Sequence, residues 1–322
     1  MWIRTCKTMF AALSVALVAA CGGSGNDSPP PPTIAQVAGT AGLTALVAAS
    51  TKAGLVPTLN DPAVSLTVFA PTDAAFTALA TTLGFASATA MVEALPAATL
   101  ANILQYHVLA ARRSATDLTA AAGTQPTLYN FAGAATRLAV GTTGGVTLTD
   151  AVLTSARVTQ ADVGAANGVV HVIDKVLVPP GVLNIVQMAQ LNPTFSSLVS
   201  AVVARGLAPT LSGAGPFTVF APTNAAFTAI QSTVASLTPA QLSTVLTYHV
   251  IGSQVLSSQI PFGTPVITVA APRSITITAG PAPAIASIAD STATPARITA
   301  VDIRGSNGVI HVIDKVLIPS PL

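Results

Sequence analysis

The chain has 322 residues, of which 51% are hydrophobic, 4% aromatic and 7% charged, with a formal net charge of +2. That charge belongs to Arg4 and Lys7 and falls to zero once residues 1–20 are set aside, so no basic face for nucleic acid is implied. The two cysteines, Cys6 and Cys21, both lie near the N-terminus, which excludes an internal disulfide framework and leaves each domain to stand on its apolar core.

Residues 1–20 carry Arg4 and Lys7, then an apolar run from Met9 to Ala20, then Cys21. A run this short has the charged start and small-residue end of an export signal and is too short to span a bilayer as a mature helix. Leu17-Val18-Ala19-Ala20-Cys21 resembles a bacterial lipobox, in which the signal is removed before the cysteine and the cysteine is lipidated. Cys21 is therefore the expected lipidation site; ordinary signal-peptidase cleavage with Cys21 left nearby is the alternative. Several acyl chains, at about 0.8 kcal/mol per buried methylene, make a stable anchor. Gly22 after the cysteine, with no aspartate there, points by analogy to the outer membrane if the cell is Gram-negative. Residues 21–32, Gly-, Ser- and Pro-rich, read as a tether.

After the tether the chain says the same thing twice. Thr67-Val68-Phe69-Ala70-Pro71-Thr72-Asp73-Ala74-Ala75-Phe76 recurs from Thr218 to Phe227 with only Asn224 in place of Asp73. Tyr106-His107-Val108 returns as Tyr248-His249-Val250, and the Asn167-Gly168-Val169-Val170-His171-Val172-Ile173-Asp174 box returns from Asn307 with Ile310 for Val170. The spacing is that of a whole domain, far above solenoid repeats. Domain one is expected over residues 33–180 and domain two over 181–320, joined by a short Pro-Pro-Gly junction that keeps them close. Domain one carries extra residues around 84–95.

Each copy opens with a helical pattern, through Leu43, Leu46, Val47 and Leu55 in the first and Phe195, Leu198, Val199 and Val202 in the second. A β-branched and aromatic strand follows and stops at Pro71 or Pro222. Thr72 and Thr223 stand where N-caps belong, with Asp73 favouring the positive helix end and Asn224 an alternative cap. Phe76 and Phe227 are expected to face inward. A helix through Leu95, Leu100, Ile103 and Leu104 leads to Tyr106-His107, and one through Leu242, Val245 and Leu246 leads to Tyr248-His249. The period then switches to two over 127–131, 137–140, 146–149 and 157–163, and over 266–269, 274–278 and 296–303. The closing apolar segment 169–178 reads as a strand buried on both faces. Helices first and strands later give an α+β domain.

These motifs resemble the fasciclin-like (FAS1) family, in tandem copies, over nearly everything after the tether. The resemblance implies two β-sheets wedged together with helices packed around one side of each domain. It also implies a surface-anchored module for adhesion, contacting an extracellular or surface protein or a matrix component, with the membrane reached through the lipid anchor. In animal relatives integrin recognition has been assigned to the Tyr-His segment and to an Asp-Ile pair just before the Asn-Gly box. Carried over, the candidate interaction residues are Tyr106, His107, Asp162, Val163, Tyr248, His249, Asp302 and Ile303. Gln160-Ala161 and Ala300-Val301 stand where animal versions have an acid and a proline. A second reading, also implied by the resemblance, is a binder of a small apolar ligand such as a carotenoid or lipid.

No catalytic residue, metal or cofactor is expected. There is no Gly-x-Ser-x-Gly elbow, His-Glu-x-x-His, phosphate loop or Cys-x-x-Cys, so the chain is read as not an enzyme. All four histidines, His107, His171, His249 and His311, lie in the repeated boxes. Without a Cys, Glu or third His at ligand-like spacing, they read as hydrogen-bonded structural residues in preference to metal ligands. Tyr106 and Tyr248 read locally as edge-of-core residues with a polar tip. Asp174-Lys175 and Asp314-Lys315 read as exposed or partly paired charges.

Overall fold

A computed structural model describes residues 30–280 and 285–322; residues 1–29, where the sequence reading places an export signal, Cys21 and most of a tether, lie outside the described residues. Both copies belong to one compact unit, Pro32–Leu322. In the first copy the strands are β1 (Leu66–Pro71), β2 (Val108–Leu109), β3 (Gly123–Phe131), β4 (Ala134–Gly141), β5 (Thr147–Thr149), β6 (Ser155–Ala165) and β7 (Gly168–Ile173). In the second they are β8 (Phe217–Pro222), β9 (Val250–Ile251), β10 (Pro265–Ile267), β11 (Ser274–Ala279), β12 (Ala286–Ala289), β13 (Ala296–Gly305) and β14 (Gly308–Ile313). The order β2-β1-β7-β6-β5-β4-β3 is repeated, in reverse listing, as β10-β11-β12-β13-β14-β8-β9.

The two wedged sheets of each domain are two halves of one hydrogen-bonded ladder. The hinge is the long strand β6, whose residues 155–157 pair with β5 while 158–165 pair with β7 through two register shifts. Bulges of this kind add an unpaired residue and bend the strand. Here the bend is taken by Asp162 at φ 58°, and in β13 by Asp302 at φ 61°. The bent sheet has a helix-side core, with Leu46, Val68, Phe76 and Leu104, and a core between its halves, with Phe69, Tyr106, Leu138 and Leu148. Val68 and Phe69 go to opposite cores because successive strand residues point to opposite faces.

β1 and β7 run parallel in the middle of this arrangement, every residue buried, as the unbroken apolar patterns require. Their pairing explains the Gly of the Asn-Gly box. A Cβ at Gly168 would lie 2.1 Å from the Leu66 carbonyl oxygen, and one at Gly308 would lie 2.3 Å from that of Phe217.

The helices depart from the sequence reading in instructive places. The opening helix pattern is three helices, Ile34–Thr40, Thr44–Lys52 and Val56–Asn60, broken where Gly42 and Gly54 take φ of 73° and 71°. Val47, expected on the apolar face, is 37% exposed. The extra residues of domain one fold into a helix, Ala88–Ala94, capped by Ser87, which supplies Met91 and Val92 to the core. Its counterpart Gln231–Ser236 buries nothing, and Phe227 is correspondingly half-buried, whereas Phe76 is 2% exposed. Strand β12 has no clear alternation in sequence, because Ala286, Ser287 and Ile288 are all buried.

The junction between the copies is an apolar seam. Val152 and Val178 of the first copy share a core with Leu183, Ile185, Phe195 and Ile303 of the second. Gly181 N–H donates to the Arg304 carbonyl at 2.8 Å, Asn192 Nδ2 donates to the Val152 carbonyl at 2.8 Å, and the Arg304 guanidinium sits 4.7 Å from the Phe131 ring centre. Gly181, at φ 75°, touches Phe131 so closely that a Cβ would fall 2.0 Å from the ring.

Candidate functional site

The repeated boxes are built from side chains that hold backbone to backbone. His107 caps the helix Ala97–Tyr106: its Nδ1–H donates to the Ile103 carbonyl at 2.7 Å and its Nε2 accepts from Leu177 N–H at 2.9 Å. His249 repeats this with Val245 and Leu317 at 2.7 and 2.8 Å. Only the neutral ring can donate at one nitrogen and accept at the other. Complete burial accordingly pushes both histidines down to about 4, against a weaker opposing pull from the carbonyl bonds.

His171 and His311 clamp the bulges. Nδ1 of His171 accepts from Asp162 N–H at 3.2 Å while Nε2–H donates to the Arg113 carbonyl at 2.9 Å. His311 joins Asp302 and Val255 in the same way, and burial lowers its pKa. Each ring lies beside the central strand's phenylalanine, His171 stacked on Phe69 at 5.7 Å and His311 tilted against Phe220 at 5.6 Å. Among the described residues no three His, Cys, Asp or Glu side chains converge on a point.

The two bulge aspartates are also tied locally. Asp162 Oδ1 accepts from Ala115 N–H at 2.9 Å, at the start of helix Ala115–Ala120, and Asp302 Oδ1 accepts from Ser257 N–H at 2.9 Å. Asp162 remains exposed, Val163 and Asp302 are half-buried, and Ile303 is 2% exposed. Tyr106 and Tyr248 are 1% and 4% exposed, with hydroxyls donating to the carbonyls of Arg137 at 3.4 Å and Ser274 at 2.9 Å. Burial raises both phenols, helped at Tyr106 by the Asp150 charge.

The structure brings some of these residues together and separates others. Tyr106 of the first copy and Asp302 and Ile303 of the second line one open groove between the copies, of about 410 Å³, with Phe131, Arg137 and Arg304. Asp162 and Val163 stand apart on their own bulge, and Tyr248 and His249 serve the second core.

Sequence reasoning missed the polar anchors beneath the strand ends. Asp150, 4% exposed, receives Lys175 Nζ at 2.5 Å together with the backbone N–H groups of Val152, Thr154 and Val178. Asp290 does the same for Lys315 at 3.0 Å, Thr292 and Ile318. Burial pushes Asp290 up, but its hydrogen bonds outweigh that and leave the carboxyl below its usual range. Lys175 and Lys315 thus pair across the sheet while their neighbours Asp174 and Asp314 accept from the N–H groups of Arg157 and Arg297. The signal was present: each Lys follows its Asp by 25 residues in both copies.

Asp73 caps as expected, but the helix it caps is Thr44–Lys52, through Ala45 N–H at 2.9 Å and the Thr44 hydroxyl. Thr72 caps its own helix through Ala75 N–H. Asn224 accepts from Ser197 N–H at 2.9 Å and uses its amide to reach the Pro193 carbonyl, which is why acid and amide interchange here. Asn167 and Asn307 close each domain on its first helix, accepting from Ile34 and Ile185 N–H at 2.9 Å.

Fold and site together define a duplicated α+β module, two copies joined along an apolar seam, whose shared residues stitch each copy shut. The chain belongs to the fasciclin domain family, whose model it matches over residues 41–179 and 193–319. Fasciclin domains are known in adhesion proteins, and a general protein-interaction role follows. Among its relatives, protein sll1483 of Synechocystis is 38% identical over 42% of this chain and 74% of that protein. Pig transforming growth factor-beta-induced protein ig-h3 is 35% identical over 51% of this chain and 23% of its own length. The cell surface glycolipoprotein MPB83 of Mycobacterium bovis is 46% identical over 22% of this chain and 36% of its own. The chain thus spans well under half the length of the last two. A solved FAS1 domain pair from the insect cell adhesion molecule fasciclin I aligns over 87% of this chain and 97% of that one, with TM-score 0.43 and 18% identity. Among the described residues no helix is long and apolar enough to cross a membrane.

Proposed function

We propose that this chain is an exported, lipid-anchored, non-catalytic adhesion protein that displays its two fasciclin domains at the cell envelope, anchored at Cys21 in the outer membrane if the cell is Gram-negative. The observation that carries the contact reading is the groove between the copies, lined by Tyr106 from one and by Asp302 and Ile303 from the other. Tyr106, His107, Tyr248 and His249 act from inside, fixing the frame. Asp162 and Val163 on one bulge and Asp302 at the groove rim offer the polar contact to an extracellular or surface protein or matrix component. Segments that differ between the copies tune the partner, above all the helix Ala88–Ala94, which borders an open groove with Lys52, Asp73 and Glu93. The name of MPB83, a cell surface glycolipoprotein, supports the anchoring.

Metabolic labelling with an alkyne fatty acid, read on wild type and on Cys21→Ser, tests this. Label on wild type only, with the protein in the envelope fraction, supports anchoring; unlabelled protein in the cytoplasm refutes it. A second reading, a binder of a small apolar ligand, is favoured by one observation, a cavity under the first three helices.

A further inference from the structure

The cavity lies in the helix-side core of domain one and measures about 260 Å³. Its wall is almost wholly apolar, with Leu46, Leu55, Val68 and Leu104, and the neutral His107 ring behind them. The second copy has the same cavity in the same place, reduced to about 40 Å³. Equivalent hydrogen bonds in the two copies fix which residues correspond, and with them the cause. Ile34 and Ile185 are bonded alike to Asn167 and Asn307, which sets Ala35 against Val186; Ala45 and Ser197 are bonded alike to Asp73 and Asn224, which sets Ser50 against Val202. Both pairs line their cavities, and both are larger and more apolar in the second copy. Duplicated sequence has been filled in one domain and left open in the other.

Away from its mouth the apolar wall offers ordered water few of the two to four polar partners it needs. A dry cavity of about 150 Å³ accommodates benzene, so 260 Å³ corresponds to roughly ten carbon atoms and falls well short of a carotenoid of about forty. The mouth is marked by Val47, 37% exposed, and by the exposed uncharged side chains of Gln36, Thr51 and Asn60. An uncharged rim gives a hydrogen bond to a polar head without an ionic partner, so an alcohol, ester or amide head fits better than a carboxylate.

We infer that domain one, and not domain two, holds one medium-length aliphatic chain with an uncharged polar head in this cavity, the head at Gln36, Thr51 and Asn60. The inference rests on the apolar-ligand reading above and narrows it: carotenoid is replaced by a chain of about ten carbons. The Ser50 hydroxyl, buried at the wall, is the feature that distinguishes the site from its filled twin.

Isothermal titration of the full chain with 1-decanol tests it, with decanoate, β-carotene and phosphatidylcholine vesicles as separate arms. The expected result is one site per chain, weaker for decanoate, and no saturable binding of β-carotene. Ala35→Val with Ser50→Val weakens decanol by at least about tenfold while the melting temperature holds or rises, because the second copy already folds with these residues. Val186→Ala with Val202→Ser adds a second site. Binding to vesicles but not to free decanol assigns the chain to a bilayer lipid, and its loss in the filled variant still supports the cavity. Decanol binding unchanged in the filled variant, or two sites in wild type, overturns the inference while sparing the reading. No saturable binding in any arm sinks the reading itself.

Discussion

Lowering the pH from 7 to 4.5 should unfasten both domains through two buried imidazoles. His107 and His249 sit near 4 in the folded chain, against about 6.5 when exposed. Because the folded value is the depressed one, the unfolded chain binds more protons between these limits. The stability they contribute is therefore fully present above about pH 6.5 and is lost as the pH falls toward 4. A shift of this size is worth about 3 kcal/mol for each histidine, and the slope in the window is about 1.4 kcal/mol per pH unit for each. Two such groups threaten a large part of a typical folding free energy of about 5–15 kcal/mol. Carboxylates whose values lie below their usual range, such as Asp290, act only at lower pH, so the window from 6.5 to 4.5 isolates the histidines, with His311, whose pKa burial also lowers, adding to the slope of domain two. Urea unfolding followed by circular dichroism at half-unit steps measures the slope. His107→Gln, which cannot take up a proton, should cost about 1–3 kcal/mol at pH 7 and remove one proton's worth of slope. Stability flat from pH 7 to 4.5, or the same slope in the variant, refutes the reasoning.

Other perturbations follow from the same anchors. Asp150→Ala strips Lys175 and three backbone N–H groups, two of them buried, of their acceptor and should cost about 3–5 kcal/mol by thermal melting, whereas Asp174→Ala, exposed and bonded only to Arg157 N–H, should cost about 1. Asp73→Asn should stay within about 1 kcal/mol of wild type, since Asn224 does this job in the second copy, while Asp73→Ala should lose about 1–2 as a lost cap does. Gly168→Ala should prevent stable folding of domain one, because its Cβ meets a backbone oxygen on the central strand; soluble yield and proteolysis report it.

Much of the architecture was legible because duplication marks what cannot change. The Thr-Val-Phe-Ala-Pro-Thr box is legible as strand, stop and cap because every residue of β1 is buried and Thr72 has one acceptor role. The histidines read as structural because no ligand set accompanies them, and their hydrogen bonds supply the reason for their retention in both copies. What escaped the sequence depends on residues far apart along the chain. Asp150 looks like a loop charge until Lys175 folds back beneath it. The groove lined by Tyr106 with Asp302 and Ile303 is set by the seam through Val152, Val178 and Leu183, which no repeat reveals because each copy contributes a different face. The cavity escaped for the opposite reason: Ala35 and Ser50 are unremarkable alone and gain meaning only beside Val186 and Val202.

The contact claim is tested most directly on intact cells by photocrosslinking from Arg137, an exposed residue lining the groove, against Thr119, exposed but not part of the groove lining. The account predicts a discrete adduct with an envelope or matrix protein from position 137, absent from position 119 and lost when Cys21→Ser releases the chain from the envelope. Equal labelling from both positions, or no protein adduct from position 137 on cells that display the chain, contradicts it.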